Sequence, residues 1–134
     1  MKVFIDSNNP MNVAGADHPN RAPALRFLER VQTGEVEACT STEVLQEILY
    51  RYSSLGRLDL AAAVYDFFVA IVPEVFGVTL ADTDLAKDLL LGTGGVSARD
   101  VLHAAVMLNN SVADVATFDQ DFDRIGQLRR IDLT

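Results

Sequence analysis

The sequence predicts an α/β sandwich built on a mainly parallel sheet, with helices covering its faces. Three observations predict it. Short β-type runs alternate with helix-period segments, the alternating units have the lengths of strand–helix crossovers, and no internal repeat, low-complexity tract or interdomain linker interrupts them. With 134 residues, the chain is expected to be one domain over 1–134, a size that buries most of its apolar surface without staples.

Lys2 to Ile5 (KVFI) is the first strand, and it breaks into Asp6-Ser7-Asn8-Asn9-Pro10, a turn-rich string read as a loop. Pro23 sits where a helix can start, and Leu25, Leu28 and Val31 recur at helical spacing until Gly34, which predicts a helix from about Pro23 to Thr33. Val36 to Cys39 is the second strand. Thr40 and Glu43 then have capping-box spacing, opening a helix whose apolar face is Val44, Leu45, Ile48 and Leu49, with Glu43, Gln46, Glu47 and Tyr50 largely off it. Leu58 to Val72 is a third helix, apolar all round, which implies burial against the sheet or a second subunit; Pro73 ends it. Val75 to Leu80 reads as a strand. Asp82 to Leu91 reads as a helix whose early carboxylates complement its N-terminal dipole. After the Gly92–Gly95 loop, Ser97 to Asp100 resembles a capping box, and Val101, Ala104, Ala105 and Leu108 carry the next helix. Val112 to Phe118 is the last clear strand, ending at Asp119.

Composition narrows the function classes. The chain is 49% hydrophobic, but its longest apolar stretch is interrupted by Asp66, so nothing in it is expected to span a bilayer. MKVFID lacks the apolar core and cleavage site of a signal peptide. Cys39 stands alone, which excludes an internal disulfide and a cysteine-based metal site and fits a reducing, cytoplasmic compartment. Eleven Lys+Arg against 19 Asp+Glu give a net charge of −8. Such a surface repels nucleic acid unless carboxylates gathered in one pocket are neutralised by cations or a local basic strip forms. Arg51, Arg57, Arg99, Arg124, Arg129 and Arg130 are candidates for that strip.

The residues that carry chemistry are acidic. In a parallel sheet, functional groups collect beyond the carboxyl ends of the strands. Asp6 and Asp119 occupy such ends, Asp100 opens a helix behind a glycine loop, and Glu47 lies one turn into the helix after the second strand. Converging carboxylates repel until a cation sits among them, and oxygen-only ligands suit Mg²⁺ or Mn²⁺. Each residue also has a bland reading. Asp100 serves equally as a cap, Asp6 as the start of an Asx-turn through Asn8, Glu47 as the partner of Arg51 four residues on, Glu43 as a capping residue, and Asp119 with Asp121 and Asp123 as a solvated turn. His103, three residues after Asp100, is more often a satisfied structural histidine. His18 has no evident partner, and the Ser7 and Thr117 hydroxyls serve a carboxylate, a phosphate or a turn.

Taken together, the strand ending in Asp6-Ser7-Asn8, the Ser41 to Glu47 spacing, the stretch Arg99-Asp100-Val101-Leu102-His103 and the Thr117-Phe118-Asp119 end before Asp121 resemble the ordered acidic motifs of the PIN-domain family, especially its VapC-type toxins. The resemblance covers nearly the whole chain. It implies a PIN-like three-layer sandwich and Asp6, Glu47, Asp100 and Asp119 as a metal-binding quartet, with Thr117 as a site-lining hydroxyl. It further implies endonucleolytic cleavage of RNA, homodimerisation, and silencing by a cognate antitoxin protein. Glu43 competes with Glu47 for the second acidic position; spacing from Ser41 favours Glu47. Two other functions are weighed. Asp6 as the nucleophile of an aspartyl-phosphate phosphoryl-transfer enzyme would want an Asp at position 8 and a nearby Lys, whereas position 8 is Asn. A catalytically inactive PIN-like domain used for protein binding would have no need of all four acids.

Overall fold

In a computed structural model, which describes residues 2–133, strand β1 (Lys2–Ile5) is the middle of a five-stranded parallel sheet. The order is β3-β2-β1-β4-β5, with β2 at Glu37–Ser41, β3 at Glu74–Phe76, β4 at Asp114–Ala116 and β5 at Arg129–Arg130. Phe4 is paired with Cys39 on one side and with Val115 on the other. The central strands are covered on both faces, and Phe4, Ile5, Ala38, Cys39, Val115 and Ala116 are all buried.

The chain steps outward from β1 to β3, then returns across β1 to β4. Right-handed crossovers in opposite directions place their helices on opposite faces of the sheet. Accordingly α1 (Asn8–Ala14), α2 (Arg21–Gln32), α3 (Thr42–Ser54) and α4 (Leu58–Ile71) pack among themselves, and α5 (Leu80–Gly92) packs on α6 (Ala98–Asn109). The result is a three-layer sandwich whose strand order reverses between β1 and β4. That reversal leaves a crevice at the carboxyl ends of those two strands.

Several elements differ from the sequence reading, each for a local reason. The Asp6–Pro10 string is no loop, because α1 begins at Asn8 and Pro10 falls in its first turn, where a missing N–H costs nothing. Pro23 likewise sits in the first turn of α2, which starts two residues before it. β2 continues to Ser41, so Thr40 is still in the strand and its hydroxyl donates to the Ile5 carbonyl at 2.9 Å. Ser41 therefore caps α3, accepting from the Val44 amide, and the expected Thr40–Glu43 capping box does not form. The buried face of α3 is also rotated from expectation: Glu47 is 8% exposed and Leu49 is 38% exposed. β3 ends at Phe76, and Thr79 with Asp82 makes a capping box for α5. Asp82 additionally accepts a 2.8 Å bond from Asn109, tying α5 to the end of α6. β4 is confined to three residues, and the two-residue β5 after a 3₁₀ turn at Gln120–Arg124 is an element that the sequence reading lacked.

Of α4, only Ala61, Val64 and Phe68 are buried. Leu58, Phe67 and Val69 of this helix remain exposed. No helix of the described residues is long and apolar enough to cross a membrane.

Candidate active site

The crevice at the strand reversal collects side chains from four directions. Asp6 follows β1, Asp119 follows β4, Glu47 projects from the second turn of α3, and Asp100 and His103 lie one turn apart on α6. They line a cleft of about 340 Å³ together with Ser7, Asn8, Ser97, Arg99 and Asp121. Asp6, Glu47, Asp100 and Asp119 are thus brought together, and Ser7, Asn8 and Asp121 with them. Glu43 is not among the lining residues, and neither is either lysine.

Hydrogen bonds fix the floor. The Asp6 carboxylate accepts from the Ser7 amide at 2.8 Å and from the Thr117 hydroxyl at 2.7 Å. Thr117 in turn accepts from the Asn8 side-chain amide and from the Asp119 backbone N–H, both at 3.0 Å. Thr117 is buried and does not line the cleft; it stands behind Asp6 and links it to the β4 end. Asn9, fully buried, donates to the Ala116 carbonyl at 2.7 Å and pins α1 to the same strand end. The Ser7 hydroxyl, although at the helix N-cap, forms no cap bond and donates instead to Glu47 at 2.7 Å.

The carboxylates fall into two groups. Asp6, Glu47 and His103 each offer an atom within 4.8 Å of the others, and so do Asp100, Asp119 and Asp121. His103 is the residue that sequence reasoning undervalued. Its Nε2 lies 2.5 Å from Glu47 and 3.9 Å from Asp6. The only signal was its position one turn after Asp100, because burial among acids is not written in the sequence. The Glu47–Arg51 pair suggested by spacing is not formed, and Arg99 approaches Glu47 at 4.0 Å instead.

Electrostatics distinguish the acids. Burial holds the Asp6 carboxyl above the ordinary range, with Glu47 adding to the effect, while His103, Thr117 and Ser7 oppose it without cancelling it. Burial also pushes Glu47 up, but the His103 hydrogen bond and charge, then Ser7 and Arg99, outweigh it and draw Glu47 below the usual range. Burial disfavours the His103 cation, yet Glu47, Asp6 and Asp100 keep its pKa raised. Glu47 and His103 therefore form a buried ion pair. Asp100 is pushed up to about 6, first by burial and then by the charges of Asp119 and Asp6.

This donor set fits a hard divalent cation. The available ligands are carboxylate oxygens, the cleft's histidine is engaged by Glu47, and a cation would offset the burial that raises Asp6 and Asp100 and, at Asp100, the added charges of Asp119 and Asp6. The buried Cys39 thiol, pushed up to about 12, is neither near the cleft nor ionised.

The raised Asp100 value has a stability consequence with a definite sign. A carboxyl whose folded pKa lies above its unfolded value binds more protons in the native state, so stability falls as pH rises between about 4 and 6. In EDTA, wild type should lose stability across this window relative to Asp100→Asn, by an amount on the order of 1 kcal/mol after solvent screening of a half-exposed group. Denaturant melts of both proteins across the window check it, and parallel pH profiles would refute it.

The PIN domain family model matches residues 3–128. Ribonuclease VapC13 of Mycobacterium tuberculosis is 36% identical over 129 residues, which span 96% of this chain and 98% of that protein. Among solved structures, Mycobacterium tuberculosis VapC20, described as a sarcin-ricin loop cleaving toxin, superposes with a TM-score of 0.75 at 22% identity, over 92% of this chain and 95% of its own. VapBC2 from Rickettsia felis, solved bound to a DNA fragment from its promoter, gives 0.75 at 18% identity over 98% of both chains. These two likenesses bear on the fold; the family match and the 36% relative bear on descent. The chain belongs to the PIN-domain family, in its VapC-type branch.

Proposed function

We propose that this chain is a cytoplasmic, Mg²⁺- or Mn²⁺-dependent endoribonuclease, the toxin of a VapC-type toxin–antitoxin pair, acting as a single nuclease domain over 1–134. One observation carries the reading: Asp6, Asp100 and Asp119 converge with Glu47 at the strand reversal, in a cleft lined by five carboxylates against His103 and Arg99. The ribonuclease name of the 36% relative supports the RNA substrate. The solved VapBC assembly supports a cognate antitoxin as partner.

Asp6, Asp100, Asp119 and Asp121 would hold the cation, with Glu47 at its edge. The bound ion would supply Lewis acidity, lowering the pKa of an attacking water and offsetting charge on the phosphodiester. The chain's own groups set the rest. The Ser7 amide and Thr117 hydroxyl, one on each oxygen, hold the Asp6 carboxylate in one orientation at the cleft. Glu47 has both oxygens engaged, one by His103 and one by Ser7. It stays ionised through that pair and, with no oxygen left to take a proton, would act by holding His103 and Ser7 in place beside the cation site.

The exposed apolar residues of α4, Leu58, Phe67 and Val69, support a homodimer, because a freely solvated helix keeps a wider polar face. Sedimentation should show a concentration-dependent dimer; a monomer at all concentrations removes this part. For the central reading, total cellular RNA should gain new ends only with Mg²⁺ or Mn²⁺, and none in EDTA. Glu47→Gln should reduce cleavage by about 10- to 100-fold with the fold intact, while Glu43→Gln, outside the cleft, should have little effect. Robust cleavage in EDTA, or the reverse ranking of the two glutamates, would sink it.

A further inference from the structure

A polyanion entering this cleft meets five carboxylates on a chain of net charge −8, so binding needs local cations that are not already spent on protein acids. Ion pairing decides which those are. Among the six arginines that the sequence offers as a strip, Arg57, Arg129 and Arg130 are each gripped through two nitrogens, by Asp59, Asp114 and Asp123. Arg124 lies across the backbone of Gly95, where an added Cβ would come within 2.8 Å of its Nη1, and leans toward Asp121.

Arg99 and Arg51 remain. Arg99 lines the acidic cleft with a side chain 61% exposed, and its one ionic contact among the described residues is the 4.0 Å approach to Glu47, a carboxylate already bound by His103 and Ser7. Arg51 is exposed, forms no ion pair among the described residues, and lines a second groove of about 310 Å³ between α1 and α3. Asn8 lines both depressions, so cleft and groove share a wall.

Resting on the ribonuclease reading above, we propose that Arg99 and Arg51 form a two-point track for the phosphate backbone of single-stranded RNA. Arg99 takes a phosphate within the cleft, and Arg51 takes one further along the strand as it passes over Asn8 toward the end of α3. Guanidinium groups suit this role because they bind phosphate bidentately and keep their charge beside acids. Such contacts position the strand without reading its bases. The arrangement gives an acidic protein a directional path for RNA, with the carboxylates at one end of it.

The test uses the full chain carrying Asp119→Asn to suppress cleavage, in Mg²⁺, titrated against a fluorescein-labelled single-stranded RNA of mixed sequence across a KCl series. Arg99→Gln and Arg51→Gln should each weaken binding about tenfold and each make the plot of log affinity against log salt shallower by about 0.7, the loss expected for one phosphate contact to a single strand. Arg99→Lys should keep the salt slope. Arg26→Gln, which removes an exposed arginine of α2 outside both depressions, should change neither quantity, and thermal melts should show every variant folded. A parent protein that binds RNA while the Arg51 and Arg99 variants match it overturns the track alone, and so does an Arg26 variant that loses as much. A parent that binds no RNA at any salt overturns the ribonuclease reading together with the track.

Discussion

Asp6 is the fixed point around which the site is arranged. Its backbone N–H is bonded to Ala116 at 3.1 Å, so the β1–β4 pairing places its Cα. The Ser7 amide and the Thr117 hydroxyl then orient its carboxylate, and Thr117 is itself held by Asn8 and by the backbone of Asp119. A carboxylate immobilised this way cannot swing away from other acids. Two unit charges about 5 Å apart repel by on the order of 3 kcal/mol at an effective dielectric near 20. Burial first, and then the charges of Asp119 and Asp6, push the Asp100 carboxyl up to about 6.

The protein meets part of this charge internally and leaves part of it open. His103, buried on α6, neutralises Glu47 and faces Asp6, so one half of the cluster carries its own counterion. Asp100, Asp119 and Asp121 form the other half, where the one ion pair among the described residues is the 3.7 Å approach of the exposed Arg124 to Asp121. That asymmetry gives the acids different tasks, one pair committed to each other and one group free to ligate. Local structure is bent to serve it. The Ser7 hydroxyl, which at the start of α1 would ordinarily bond the helix N-terminus for about 1 kcal/mol, is turned to Glu47 instead. Asp119 does both jobs, with one carboxylate oxygen accepting from the Asp121 amide to start the 3₁₀ turn.

Much of this was legible in the sequence where a long period or a strand end carried the signal. β1, α3, α4 and α6 announce themselves by runs of apolar residues, and Asp6 and Asp119 follow from the rule that parallel strands present their carboxyl ends to a site. α1 was hidden because Asn, Asn and Pro are turn formers by composition, although all three fit a first helical turn. β5 was hidden because two residues show no alternation. The capping residue of α3 was misplaced by one position, Ser41 for Thr40, since nothing local shows that β2 runs on through Thr40. His103 and the availability of Arg99 and Arg51 depend on which residues become neighbours across the chain. No spacing within a helix encodes that.

The charge left open between Asp100, Asp119 and Asp6 is most directly measured by carboxyl carbon NMR of the intact protein, titrated with and without Mg²⁺. Without metal, the Asp100 carboxyl should titrate near 6, and saturating Mg²⁺ should bring it to or below the ordinary aspartate range, because a cation favours the ionised form. An Asp100 that titrates at the ordinary aspartate value in both conditions would contradict a shared, metal-seeking carboxylate cluster.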